Sequence, residues 1–457
     1  MRRYLVFIIA SLPLLLYTVS ATAVSVAFPD IISDLNTTVV IAGWTLTAFQ
    51  LTWIAVVPLT GKITEFFGQR TVLMLSTLLF TIGSGLCALA PNIYLLIFFR
   101  MIQAIGGAAF MPCATAIISA EFPESRQRSI GLLSSLFPIG MVIGPNLGGW
   151  MVEALGWRSV FWLNVPAGAL VLIFSWLLLH GGSGYRTGKI DFAGAGLLAL
   201  SLFSGMFGLT ALTDSELGIS TIFSALLIAA GMFVLFLFIR RERRTAEPIL
   251  DFELLRERPF LATNIFNLIY GACAIGVITL IPYFAVSVYG MSTFMSGFIL
   301  TPRSVATIIT SAVASFFLMK WGYRKPILAG IIIMSLSLVL LSLAPLVGFE
   351  LDATRVLAAI MFLAGVGIGF ASPASNNACI ELMPSRIATI TAVRILFRQI
   401  GSSMAILIST IILHLMDDAG QAFHIIFTIW AVILVLSIIA VFFIPAGPVP
   451  PESPEKG

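Results

Sequence analysis

Charge is scarce in this 457-residue chain: 10% of its residues are Asp, Glu, Lys or Arg, while 59% are hydrophobic. Water-soluble domains carry about 25% charged residues. The composition therefore excludes a soluble enzyme, a nucleic-acid-binding protein and a disordered chain, despite a net charge of +4. Histidine and cysteine are scarcer still. His180, His414 and His424 with Cys87, Cys113, Cys273 and Cys379 give no metal-ligand spacing and no disulfide framework. All four cysteines lie inside apolar runs and read as small packing residues. No Gly-x-x-x-x-Gly-Lys-Ser/Thr loop occurs, which excludes a transport ATPase. No metal and no cofactor is expected, and three histidines are a poor supply for a membrane-embedded transferase.

Long apolar runs are plentiful. A bilayer core about 30 Å thick needs ~20 helical residues per crossing. Fourteen such windows lie near 4–28, 39–60, 71–90, 93–119, 129–152, 160–180, 190–212, 218–239, 261–289, 295–319, 327–347, 355–380, 388–413 and 424–444. The first, from Tyr4 to Phe28, exceeds the 7–15 apolar residues of a secretory signal, so it is expected to stay as a span. With the amino terminus inside, 19 of the 25 basic residues fall on the cytoplasmic side, two outside and four within spans. That asymmetry is what the positive-inside rule asks for, and it puts both termini in the cytoplasm.

The longest polar stretch, 240–259, separates two halves that echo one another. Phe67-Gly68-Gln69-Arg70 returns as Trp321-Gly322-Tyr323-Arg324, offset by 254, and Pro112 to Pro123 returns as Pro373 to Pro384, offset by 261. Same-sense echoes suggest parallel repeats. The expected fold is all-α: two six-helix bundles (1–188 and 260–445), an inserted helix pair (189–240), a cytoplasmic linker (241–259) and a tail (446–457).

Several motifs fall in order along this frame. Gly61-Lys62-Ile63-Thr64-Glu65-Phe66-Phe67-Gly68-Gln69-Arg70 forms the loop after the second span, where Glu65 can pair with Arg70, Arg126 or Arg128. Arg100-Met101-Ile102-Gln103 opens the fourth span, with Arg100 and Gln103 on one face. In the fifth, Gly140, Gly144 and Gly148 recur every four residues, a smooth strip for close helix approach, and Pro145 loosens that helix. Trp157-Arg158-x-x-Phe161-x-x-Asn164-x-Pro166 leads into the sixth. Together with Trp44-x-x-x-Ala48-Phe49, Pro302-Arg303 and Arg398-Gln399-x-Gly401, this order resembles the major facilitator superfamily, and within it the fourteen-span drug:proton antiporters of the EmrB/QacA type. The resemblance covers nearly the whole chain. It implies a monomeric inner-membrane exporter of amphipathic or organic small molecules, working by alternating access and coupled to protons. Without an ATP site or coupling acids, an in-membrane sensor and a carrier of lipids or anionic metabolites are the other readings.

One departure bears on coupling. Where the family carries an acid in the first span this chain has Ser20, followed by Thr22 and then Ser25 at the family's Asn position. No carboxylate is left for the middle of any span, whereas Arg100, Arg303, Arg394 and Arg398 lie within spans. A central arginine costs about 2.5–3.5 kcal/mol, so each needs carbonyls, amides, water or an anionic ligand. Substrates are accordingly expected to be neutral or anionic, with Arg100 the first contact and Arg303 and Arg398 next. The other candidate cavity residues are Gln50, Trp53 and Gln103, the polar stripe Asn264, Asn267 and Tyr270, and Asn376. Protons are expected to use Asp30, Glu65, Glu381, His424 or the substrate itself.

Overall fold

A computed structural model describes residues 2–122, 129, 132–133, 136–179, 191–213, 219–245, 256–347, 353–381 and 387–447. Among them the chain is helical, with no strand. Its first part comprises α1 (Arg2–Asp34), α2 (Val39–Phe67), α3 (Gln69–Ala88), α4 (Ile93–Gly107), α5 (Phe110–Glu121), α6 (Leu136–Leu155), α7 (Ser159–Trp162), α8 (Asn164–Leu178), α9 (Phe192–Thr213) and α10 (Thr221–Glu242). Beyond the polar stretch follow α11 (Arg258–Gly271), a π-helical turn (Ala272–Val277), α12 (Ile281–Tyr289), α13 (Thr293–Phe298), α14 (Thr301–Trp321), α15 (Arg324–Val347), α16 (Ala353–Glu381), α17 (Ile387–Leu415), α18 (Ala419–Leu436) and α19 (Ile438–Val441). Thirteen helical stretches among the described residues are long and apolar enough to cross a membrane. The window expected near 129–152 overlaps α6, which is not among the thirteen, and most residues just before α6 lie outside the described ones.

Short polar loops set the helix starts. Thr38, Asn92, Ser220 and Ser292 accept side-chain caps from the backbone N–H groups of Ile41, Leu95, Phe223 and Met295. Gly68 (φ 81°) and Gly322 (φ 70°) turn the chain through the left-handed region between α2 and α3 and between α14 and α15. Just after each turn an arginine reaches a backbone carbonyl: Arg70 Nη2 donates to Trp176 O at 2.7 Å, and Arg324 Nε to Ile444 O at 2.7 Å.

By contact density the chain forms two compact units. The first is Met1–Ile249 with Gly276–Thr301 and Ser403–Phe423; the second is Leu250–Ile275 with Pro302–Ser402 and His424–Gly457. In the first, a Cβ on Gly106 would clash with Phe80 N at 2.5 Å and Ser76 O at 2.7 Å, so α3 and α4 cross backbone to backbone. In the second, a Cβ on Gly367 would meet Gly330 O and Met334 N, each at 2.8 Å, so α15 and α16 do the same. Helices α9 and α10 cross at Gly231 against Gly205, and Trp44 Nε1 on α2 donates to Thr210 Oγ1 on α9 at 3.0 Å.

Candidate functional site

The first unit holds a polar network in an apolar surround, with Arg100 at its centre. Arg100 is 1% exposed. Its Nε donates to Thr45 O on α2 (3.2 Å) and its Nη1 to Gln103 Oε1 (2.5 Å), one turn on along α4. Its guanidinium carbon stands 3.9 Å from the Phe49 ring centroid and 5.8 Å from that of Phe161. A cation over an aromatic face is attracted by the ring quadrupole, so the charge is held by protein on several sides. The Gln103 amide donates to Ser84 Oγ (2.6 Å) and Ser20 Oγ (3.4 Å), and Asn164 Nδ2 also donates to Ser20 Oγ (3.1 Å). Ser20, at the position of the family acid, thus accepts from two amides and brings no negative charge.

The second unit gathers the other three arginines around Tyr270. The Arg398 guanidinium carbon lies 5.1 Å from the Tyr270 ring centroid. Arg303 on α14 and Arg394 on α17 are also within electrostatic reach of that phenol. Tyr270 donates its hydroxyl to Ile368 O on α16 (3.1 Å), and its ring packs on Phe266 at 5.6 Å between centroids. The Nε atoms of Arg303, Arg394 and Arg398 are buried without a hydrogen-bond partner. On the same stripe, Asn264 and Asn267 turn their amide nitrogens back to Phe260 O and Thr263 O. Asn267 Oδ1 accepts from Ser375 Oγ at 3.0 Å, while Asn264 Oδ1 and Asn376 Oδ1 are buried and unpartnered.

Comparison with known proteins decides the family. The Major Facilitator Superfamily model matches residues 11–406. The chain belongs to the major facilitator superfamily. Multidrug resistance protein 3 of Bacillus subtilis is 32% identical over 410 residues, 87% of this chain and 77% of that protein. The probable transport protein HsrA of Haemophilus influenzae is 30% identical, covering 89% of this chain and 87% of its own. Among solved structures, a transporter of the POT family in complex with 5-aminolevulinic acid superposes with a TM-score of 0.70 at 14% identity, covering 96% of this chain and 95% of that one. The nucleoside transporter NupG gives 0.66 at 13% identity, over 96% and 98%. These likenesses make the protein a membrane-embedded secondary transporter and not an enzyme.

The remaining predicted residues of this superfamily member take varied positions. The glycine strip of α6 faces α1: added Cβ atoms at Gly140 and Gly144 would strike Thr18 Oγ1 and Thr22 Oγ1, and one at Gly148 would meet Ala23 Cβ at 2.7 Å. Thr22 and Ser25 turn their hydroxyls to Thr18 O and Thr22 O in their own helix. Gln50 Oε1 accepts from Ser403 Oγ at 3.1 Å. Trp53 stacks on Tyr17 at 6.1 Å with its Nε1 buried and unpartnered. Gly68 makes the α2–α3 turn, but Arg126 and the side chain of Glu65, with Gly61 beside it, lie outside the described residues.

Three features had no mark in the sequence. An apolar cavity of about 410 Å³ opens among α2, α4, α9 and α10, lined by Trp44, Tyr94, Met101, Phe203 and Phe207 among others. Ser84 joins the Arg100 network although it is one serine in an apolar helix. Within the first unit two carboxylates hold α13: Glu153 Oε2 accepts from Phe294 N (3.1 Å) and Asp30 Oδ2 from Thr293 Oγ1 (3.0 Å). Pro145 joins this contact through its carbonyl, against which a Cβ on Gly297 would fall.

Proposed function

We propose that this protein exports amphipathic organic small molecules by proton-coupled alternating access, as a monomer in the inner membrane. The observation that carries the reading is membership of the superfamily together with the multidrug-resistance relatives. An apolar cavity and cation-only polar clusters support amphipathic cargo over small polar solutes. We read the chain as fourteen spans of the EmrB/QacA type with both termini cytoplasmic, the inserted pair being α9 and α10. The Gly106 and Gly367 crossings support two parallel repeats: their positions differ by 261, and the residues they meet, Ser76 and Gly330, Phe80 and Met334, differ by 254. Those are the offsets of the sequence echoes.

For coupling, with the side chains of Glu65 and Glu381 outside the described residues, Asp30 is the best-placed of the described candidates. It sits at the outer end of α1, and its protonation weakens one of the two carboxylate ties on α13. Opening on that side then becomes easier when external protons are abundant, the direction needed for proton entry during export. The test is efflux of an amphipathic dye from liposomes holding the full chain, with and without an inward pH gradient. Gradient-stimulated efflux that falls to the ungraded rate in Asp30→Asn supports the reading. Efflux no faster than from empty liposomes would remove it. A second reading, a carrier of lipids or anionic metabolites, is favoured by the carboxylate-free arginine cluster.

A further inference from the structure

The same kind of residue is treated in two ways in this protein. Arg100 has its donors on a carbonyl and an amide oxygen and an aromatic ring against its face. Arg303, Arg394 and Arg398 have buried Nε donors with no protein acceptor, and among the described residues no carboxylate pairs with them. Three like charges placed around one phenol inside apolar helices repel one another. Packing alone gives no reason to bring them together.

The cluster is also firmly mounted. A Cβ on Gly271 would fall on Arg398 O and one on Gly401 on Leu268 O, so α11 and α17 touch backbone to backbone beside Arg398 and Tyr270. A Cβ on Gly365 would fall on Arg303 O, which seats α14 against α16, and Thr307 Oγ1 adds a bond to Gly365 O at 3.1 Å. The Tyr270 hydroxyl is held by Ile368 O, and its ring lies beside Arg398. Rigid backbone at Arg303 and Arg398 is the arrangement that lets a fork of N–H donors meet a planar or tetrahedral anion without loss of order.

We propose that Tyr270, Arg303, Arg394 and Arg398 form a binding site for one compact anionic group (carboxylate, sulfonate or phosphate) on an amphipathic ligand. Guanidinium forks take such groups bidentately, and the Phe266–Tyr270 pair supplies an apolar wall for what is attached. The ligand is either a free amphiphile or an anionic lipid. The proposal rests on the transport reading only in holding that the bound molecule is also moved.

The test uses the purified full chain in neutral-detergent micelles, with calorimetric titration of 4-hexylbenzoate, 4-hexylbenzamide and 4-hexylbenzyltrimethylammonium. The benzoate is expected to bind about 10-fold or more tightly than the other two. Arg303→Gln and Arg398→Gln each remove about 10-fold or more of that affinity, leaving the benzamide within about 2-fold, and Arg398→Lys recovers part. Displacement of the benzoate by added phosphatidylglycerol identifies a lipid phosphate as the occupant; no displacement identifies a free amphiphile, and both keep the site. Equal binding of benzoate and benzamide, or benzoate affinity unchanged in both Gln variants, overturns it. If either variant does not fold, phenylglyoxal labelling of the wild type decides: benzoate protection of Arg303 and Arg398 supports the site, and unaltered labelling overturns it. Dye efflux from liposomes keeps the two readings apart. Efflux without anion preference removes this site alone, and anion-selective binding without efflux removes the transport reading alone.

Discussion

Removing Gln103 should harm the protein more than removing Arg100, and removing both should be milder than removing Gln103. Gln103→Leu leaves the Arg100 Nη1 donor without its acceptor in a fully buried place, with only the Thr45 carbonyl and the Phe49 face still holding the guanidinium. Losing a buried hydrogen bond to a charged group costs about 1.5–3 kcal/mol. The bonds to Ser84 and Ser20 are lost as well, at about 0.6 kcal/mol each for interhelical bonds in a membrane. Arg100→Leu strands only Gln103 Oε1, about 1–3 kcal/mol. It also loses the Phe49 contact, about 2 kcal/mol when desolvated. Against these stands the relief of about 2.5–3.5 kcal/mol for taking a charge out of the apolar region. The single Arg100 change therefore comes out near 0–2 kcal/mol. In the double change neither partner is stranded, and Ser84 keeps its bond to Phe80 O. Its stability should lie about 2–4 kcal/mol above that of Gln103→Leu, by the same figures. Unfolding by dodecyl sulfate titration in mixed micelles measures all three. A double variant whose loss equals the sum of the single losses would refute the reasoning, as would Arg100→Leu being the more damaging single change.

Four further expectations follow from particular positions. Gly401→Ala puts a methyl on the Leu268 carbonyl and should cost about 1–3 kcal/mol in the same titration. Gly196→Ala, where nothing lies within 4 Å, should be neutral or stabilising by up to about 1 kcal/mol. Trp44→Phe removes the bond to Thr210 and should cost about 0.6 kcal/mol, with faster amide exchange along α9 as its local signature. Asp34→Asn should change stability by less than about 1 kcal/mol and leave dye efflux unaltered. Its pair with Arg158 is exposed, at 49% and 40% for the two side chains.

Membrane helices were legible because a span needs only length and apolarity, and the four arginines stood out because so little else in the spans is charged. The stripe of Asn264, Asn267 and Tyr270 was visible at its spacing. The amide nitrogens prove to donate to their own helix, while the Asn267 oxygen and the Tyr270 hydroxyl reach across to α16. Partners were not legible. Arg100 Nε binds the carbonyl of Thr45, a group every residue has, so no residue type announces it. The glycine strip in α6 signals a close approach but not which helix makes it, and the answer, α1, came from the threonines and alanine opposite. The break between α4 and α5 at Ala108–Ala109 and the π-helical turn at Ala272–Val277 carry no proline and were read as continuous spans. Local pattern gives no warning when helix geometry yields to what packs beside it.

The bonds from Arg70 to Trp176 O and from Arg324 to Ile444 O have a consequence for how relatives of this protein are compared. Each fastens a turn to a distant part of the chain through a main-chain oxygen, which is present whatever residue stands at the accepting position. Only the arginine end depends on its side chain. Neither tether calls for a compensating change at Trp176 or Ile444, so a contact map inferred from correlated substitutions would leave both blank.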